Sequence, residues 1–198
     1  VGYCAFSKIL GISESNTSAI SNSSKFKKYY NAYYLGNPDN PYVILVRATS
    51  TSIKSCEISE GCKAVYDNAF RDCRSLTYNE YEGVQYLGTS SNPYFFLVSI
   101  KRDNYGQVQG PFSGEIHKDC KIIGGHVGGW IPGNGGLNGT SVKSIPEGVV
   151  SICCDALGNC YFFGLLTIPT SVTNLNGWAV AWRLNDVYVD GVKIETQK

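Results

Sequence analysis

Apolar side chains recur at fixed offsets through residues 144–189. Ile145-Pro146 is followed by Val149, Ile152, Ala156-Leu157, Cys160 and Phe163; Ile168-Pro169 then restarts the series with Val172, Leu175 and Ala179-Val180. The step of 23 residues from Ile145 to Ile168 is long enough for a short strand, a corner and a return path, which together make one coil of a repeat array. The same offsets recover Ile58, Cys62, Val65, Ala69-Phe70, Cys73 and Leu76 upstream and, more weakly, Ile116, Cys120, Ile123, Val127 and Ile131. Val1, Ala5-Phe6, Ile9 and Ile12 fit the later positions of a truncated first coil, residues 1–12. A single coil cannot bury its apolar side alone, so the pattern predicts coils stacked with their leading isoleucines over one another.

A second pattern interrupts the first. After a polar, aperiodic loop over residues 13–25, Tyr33-Tyr34-Leu35-Gly36 and Tyr42-Val43-Ile44-Leu45-Val46 flank the turn-forming run Asn37-Pro38-Asp39-Asn40-Pro41. Two β-prone runs around such a tip predict a β-hairpin over residues 29–48. Tyr86-Leu87-Gly88 through Asn92-Pro93-Tyr94-Phe95-Phe96-Leu97-Val98 repeats it 52 residues later, giving a second hairpin over residues 81–100. Each is followed by a variable link and then a coil headed by Ile58 or Ile116. The glycine-rich run over residues 124–139 lacks the spacing of a dinucleotide fingerprint and the Lys-Ser/Thr of a P-loop, and reads as an irregular connection. The last strand, Val187-Tyr188-Val189, belongs to a shortened coil capped by Trp178 and Trp182, with Asp190-Gly191 turning into a polar tail.

Two stretches carry a family resemblance: Ile145-Pro146-Glu147-Gly148-Val149 through Cys160, and Ala69-Phe70-Arg71-Asp72-Cys73-Arg74-Ser75-Leu76. They resemble leucine-rich repeats of the bacterial surface antigen (BspA) type, and the hairpin inserts strengthen the likeness. Two units match well, two in part, and about half of the chain lies outside the pattern. The resemblance implies an α/β repeat solenoid over residues 1–198, a leucine-rich-repeat-like parallel β-sheet with short helical or irregular returns, two inserted β-hairpins, and regular coils over residues 144–189. It also implies a non-catalytic binding or adhesion module, exported to a bacterial surface or secreted, whose partner is a host or matrix protein. Repeats report packing and leave the ligand open.

Strand alternation supplies the candidate contact residues. With Ile58, Ile116, Ile145, Ile168 and Val189 inward, the outward positions are Ser55 and Glu57, Ser113 and Glu115, Val142 and Ser144, Leu165 and Thr167, and Asp186 and Tyr188. A solvated face with no ligand is the competing reading. The alternative site is aromatic: Tyr34, Tyr42, Tyr86 and Tyr94 offer apolar area with a polar handle, as carbohydrate-binding accessory modules do. Against it stands their use as the hairpins' own core. A purely structural spacer is a third reading.

Composition narrows the classes. Seventeen basic against sixteen acidic side chains create no long-range field that favours nucleic acid. No apolar run approaches the ~20 residues of a membrane helix, so no membrane insertion is expected within this segment. The chain starts without Met or a signal-like leader, which places any leader or anchor outside these residues. Of the eight cysteines, Cys56, Cys62, Cys73, Cys120 and Cys160 occupy repeat positions filled elsewhere by other side chains, and are expected as unpaired core thiols. Cys4, Cys153 and Cys154 fall outside the inward set. Cys153 or Cys154 with His117 or His126 and Asp155 would contain a nucleophile, a base and an orienting carboxylate, and Glu57, Glu60, Glu80, Glu82 and Glu115 offer paired carboxylates. No spacing unites either group, and the two histidines read as ordinary surface residues. No catalytic residue, cofactor or metal ligand is therefore assigned.

Overall fold

The computed structural model describes residues 20–66, 68–102, 108–110, 112–125, 136–137, 140–154, 156–158, 160–162, 166–175, 187–189 and 192–194. Strands β1 (Lys27–Tyr29), β2 (Ala32–Leu35) and β3 (Ile44–Ala48) form an antiparallel meander, and β4 (Ala64–Val65) adds to β3 in parallel. The same construction returns in β5 (Asn79–Tyr81), β6 (Val84–Leu87), β7 (Phe96–Ile100) and β8 (Ile122–Ile123). This second sheet continues in parallel through β10 (Ser151–Ile152) to β13 (Asn174–Leu175). Two small sheets complete the set: β9 (Ser141–Val142) parallel to β11 (Tyr161–Phe162), and β12 (Thr167–Ile168) parallel to β14 (Val187–Val189), which pairs antiparallel with β15 (Val192–Ile194).

Local chemistry explains the meanders. At the first turn of each copy a non-glycine residue takes a left-handed conformation, Tyr30 at φ 49° and Glu82 at φ 49°, the latter followed by Gly83 at φ 78°. Positive φ suits the tight turns whose twist matches that of the strands. At the second turn Asn37 Oδ1 accepts the Asp39 and Asn40 N–H groups at 3.0 and 2.8 Å, and Thr89 Oγ1 accepts those of Ser91 and Asn92 at 3.3 and 3.0 Å. Asn40 and Asn92 then donate their side-chain amides to Gly61 O and Asp119 O, both at 2.7 Å, tying each tip to its coil. A Cβ at Gly36 would collide with the backbone of Asn40 and Pro41, and one at Gly88 would lie 2.6 Å from Pro93 Cα.

The structure corrects the expected α/β class: the described chain is all-β with mixed sheets, and only residues 20–21 are helical. The returns are successive tight turns. In the coil headed by Ile58 the N–H groups of Ala69, Arg71, Cys73 and Leu76 bond the carbonyls three residues earlier, while Asn68 and Asp72 adopt φ 63° and 65°. Left-handed residues at that spacing prevent a helix from propagating, and Asn and Asp tolerate the conformation through local side-chain bonding.

The expected isoleucine column is also only partly formed. Ile168 and Val189 are in parallel register, but Ile58, Ile116 and Ile145 lie outside the strands. The parallel pairing that joins β8, β10 and β13 runs instead through Ile123, Ile152 and Leu175. Downstream, β15 occupies part of the expected polar tail. The truncated first coil, Trp178, Trp182 and most of the glycine-rich run lie outside the described residues. Gly124 and Gly125 pass so close to Leu97 O and Cys154 O that neither site has space for a Cβ. At these two positions, close backbone packing accounts for the glycine.

Three apolar clusters separate the layers. Ile20, Phe26 and Val46 cover the outer side of the first sheet. A second cluster lies between the sheets, bringing Tyr34, Leu45 and Val65 together with Phe96, Val98 and Ile122. The third lies beyond the second sheet, where Tyr86, Leu97, Ile123, Leu137, Ile145, Ile152 and Ile168 meet.

Candidate ligand face

The outward coil positions are divided among separate places. The Lys143 N–H donates to Gly114 O at 2.8 Å, so the segment holding Ser113 and Glu115 runs beside that holding Lys143 and Ser144. Across this contact Lys143 Nζ meets Glu115 Oε1 at 3.0 Å, with each side chain about half exposed. Ser113 Oγ accepts the Glu115 N–H at 3.2 Å and Ser144 faces solvent, whereas Val142, expected to face outward, is fully buried in the core with Ile145 and Ile152. Thr167 is exposed on β12, opposite Tyr188 of β14 by backbone register. Leu165 and Asp186 lie outside the described residues.

Ser55 and Glu57 stand apart from that group. The Ile58 N–H donates to Gly88 O at 2.7 Å and the Thr77 N–H to Lys54 O at 2.9 Å, so the second meander flanks this coil where residues 113–116 were expected. Glu57 accepts the Tyr29 hydroxyl at 2.6 Å. That hydrogen bond, with some burial, pushes the Tyr29 phenol up to about 12. The exposed Ser55 gives its carbonyl to the Asn31 amide at 2.8 Å.

The hairpin aromatics divide by depth. Tyr34 and Tyr86 are fully buried, and burial raises both phenols. Their hydroxyl oxygens accept the N–H groups of Ser59 at 3.3 Å and His117 at 3.1 Å, so each ring belongs to the meander's own core. Tyr42 and Tyr94 are half-buried and meet these rings edge-on, with centroids 5.6 and 5.5 Å apart and interplanar angles of 84° in both copies. Around Tyr94 lies a group absent from the outward and aromatic positions chosen from sequence: His117 stacks on it at 3.9 Å, and Tyr81 meets His117 edge-on at 4.7 Å. His117, expected as a surface residue, has a side chain only 15% exposed. Its Nδ1 accepts the Asp119 N–H at 3.2 Å. The 52-residue offset aligns Tyr81 with Tyr29 and was the available sequence signal for part of this group.

The cysteines are placed as packing residues. Cys62 and Cys120, equivalent in the two copies, donate to Ala64 O at 3.2 Å and Ile122 O at 3.3 Å. Burial pushes both thiols up to about 12, Cys56 up to about 12 and Cys73 up to about 11. A thiol held that high supplies almost no thiolate near neutrality, and the thiolate is the nucleophile. Cys153, expected outside the inward set, is buried and donates to Val65 O at 3.5 Å; Cys160 donates to Leu137 O at 3.0 Å. Cys154 is half-buried. Cys4, His126 and Asp155 lie outside the described residues. Among the described residues no group of three or more His, Cys, Asp or Glu side chains is placed to hold a metal ion, and no helix is long and apolar enough to cross a membrane.

No protein-family model, curated protein or solved structure matches this chain. The likeness to leucine-rich repeats therefore rests on the residues quoted for it.

Proposed function

We propose that this chain is a non-catalytic binding module of an exported or surface-displayed bacterial protein, and that its partner is a protein. The observation that carries the reading is the outward strip built from two adjoining coil segments, with Ser113, Glu115, Lys143 and Ser144 brought together by the backbone bond from Lys143 to Gly114. An exposed ion pair flanked by hydroxyls presents both signs of charge at fixed positions, which a partner with complementary charges can use for steering and register. The high thiol pKa values of the core cysteines argue against nucleophilic catalysis by those residues.

Site-specific photo-crosslinking tests this. A crosslinker at Ser144 is expected to capture one extracellular-matrix protein that a crosslinker at the exposed Ser52, outside the strip, does not. The combined change Glu115→Lys and Lys143→Glu should abolish that capture while leaving the melting temperature within a few degrees, since an exposed ion pair stabilises by about 0–1 kcal/mol. Identical capture from both positions would sink the proposal.

A further inference from the structure

Strand β1 ends the first sheet and β5 ends the second. Each leads into its neighbour through a two-residue turn, closed by Tyr29 with Ala32 and by Tyr81 with Val84. Antiparallel pairs alternate between those that exchange both main-chain bonds and those that exchange none, and the pair closing such a turn exchanges both. Lys28, opposite Tyr33, and Glu80, opposite Gln85, therefore turn their N–H and C=O groups away from the sheet. Among the described residues no other main-chain group bonds them on that side. Each meander thus ends in one residue that offers a donor and an acceptor together.

The two edges carry opposite charge. Lys25, Lys27 and Lys28 are exposed along the first. The positions 52 residues on hold Thr77, Asn79 and Glu80, and Glu82 stands where the first copy has Tyr30; all four are exposed. Among the described residues no ion pair joins the two rows within one chain, and Glu80 instead meets the exposed Lys101 at 3.0 Å. Lysine on an edge strand keeps like edges apart, and two edges that each present Glu80 also repel. One Lys28 edge against one Glu80 edge is the combination that neither charge opposes.

We propose that β1 of one copy of this chain pairs antiparallel with β5 of a second copy, with Lys28 and Glu80 exchanging both main-chain bonds. In such a bonded pair the Cα atoms lie about 5.5 Å apart and the two side chains share a face, which sets the lysine ammonium beside the glutamate carboxylate. The existing contact between Glu80 and Lys101 is exposed on both sides, and a pair of that kind is readily exchanged. Each edge strand is three residues long. The contact is accordingly weak, with a Kd on the order of 0.1–1 mM, and acts where many copies are held close together. It is separate from the coil strip and stands or falls independently of it.

Amide NMR spectra of the full chain, compared at about 0.05 mM and about 1 mM, test the assignment. The Lys28 and Glu80 amide signals are expected to shift together as the concentration rises. Sedimentation should show association that weakens between about 0.05 M and about 0.5 M salt as the charges are screened. Lys28→Glu and, separately, Glu80→Lys should each reduce self-association at least about fivefold, because each makes both edges alike. An equimolar mixture of the two variants should regain it, since one supplies acidic edges and the other basic ones. Both positions are exposed, so melting temperatures should stay within a few degrees, and the amide mapping on the unaltered chain decides the matter even if a variant does not fold. A chain that stays monomeric at about 1 mM overturns the proposal. So do variants that associate undiminished, a mixture that fails to regain association, or concentration-dependent shifts confined to other residues.

Discussion

The first and second meanders differ more in their surroundings than in their backbones. In β3, Leu45 enters the core between the sheets while Ile44 and Arg47 are only half-buried, and among the described residues the outer side is covered by the small cluster of Ile20, Phe26 and Val46, with Tyr33, Leu35 and Ile44 packed against it. In β7, Phe96 and Val98 enter the core between the sheets, and Leu97 and Ile100 enter the next one. Phe70 meets Phe96 with ring centroids 6.4 Å apart, so the first coil packs directly on the second meander. A strand buried on both sides reads as a continuous apolar run, and a half-covered one keeps polar positions. One local plan therefore serves as an outer layer in one place and an inner layer in the other.

The largest expected effect follows from that contrast. Phe96→Ala should destabilise by about 3–5 kcal/mol, the range for removing a fully buried aromatic, whereas Ile44→Ala at the equivalent position should cost about 1–2 kcal/mol because the site is already half open. Urea unfolding would measure both, and equal costs would remove the distinction between inner and outer layer.

The buried thiols sharpen the comparison through pH. Cys62 and Cys120 have ordinary values near 9 when unfolded and about 12 when folded. The folded state thus favours the protonated form, and the stabilisation is complete below about pH 9 and lost as the pH rises toward about 12. Thermal melts across that window should fall in both copies together. Below it, a thiol reagent should modify Cys56, Cys62, Cys73, Cys120 and Cys160 only after denaturant is added. Rapid reaction of Cys62 but not Cys120 in the native protein would show that the first layer opens locally.

Smaller effects lie at the turns. Glu60 accepts hydrogen bonds from Thr89, Ser90 and Ser91, the shortest from Ser91 at 2.5 Å, and so joins the first coil to the second hairpin tip. Its equivalent in the second copy is Lys118. Glu60→Ala should cost about 0.5–1 kcal/mol, as expected for exposed hydrogen bonds, and Lys118→Ala less than about 0.5 kcal/mol. Tyr30→Gly should be slightly stabilising, since the left-handed conformation costs a non-glycine residue roughly 1–2 kcal/mol and part of that returns as unfolded-chain entropy. A loss above about 1 kcal/mol in the same melts would assign Tyr30 a packing role.

The turn tips and their 52-residue recurrence were legible because Asn37-Pro38, Asn40-Pro41 and Asn92-Pro93 are strong local signals. The inward cysteines were legible because they alternate with other side chains at repeat positions. Strands β1 and β5 were missed: Lys27-Lys28 and Asn79-Glu80 carry little β preference, and cross-strand pairing holds them in place. The helical returns failed because the likeness supplied them, whereas Asn68 and Asp72 turn the chain left-handed. Ser144 and Thr167, expected to face outward, are exposed, but the division of the outward positions among separate places could not be foreseen, since the second meander lies against the coil at Ile58. Which half of the hairpin tyrosines lies inside depended on register, and a bulge between Tyr33 and Tyr34 sets it.

One backbone detail bears on how such a chain accommodates change. The carbonyls of Val43, Phe95, Lys121 and Val150 each receive two consecutive N–H groups from the following coil, beginning at Lys63, Lys121, Val150 and Thr173, after steps of 20, 26, 29 and 23 residues. The paired N–H groups are main-chain donors, so the clip depends little on side-chain identity, although Thr173 Oγ1 adds a bond to Val150 O at 3.4 Å; the unequal intervening lengths are taken up elsewhere. Segments can therefore be lengthened or shortened between clips without disturbing alignment, which makes the architecture a tolerant frame on which new surface loops can be tried.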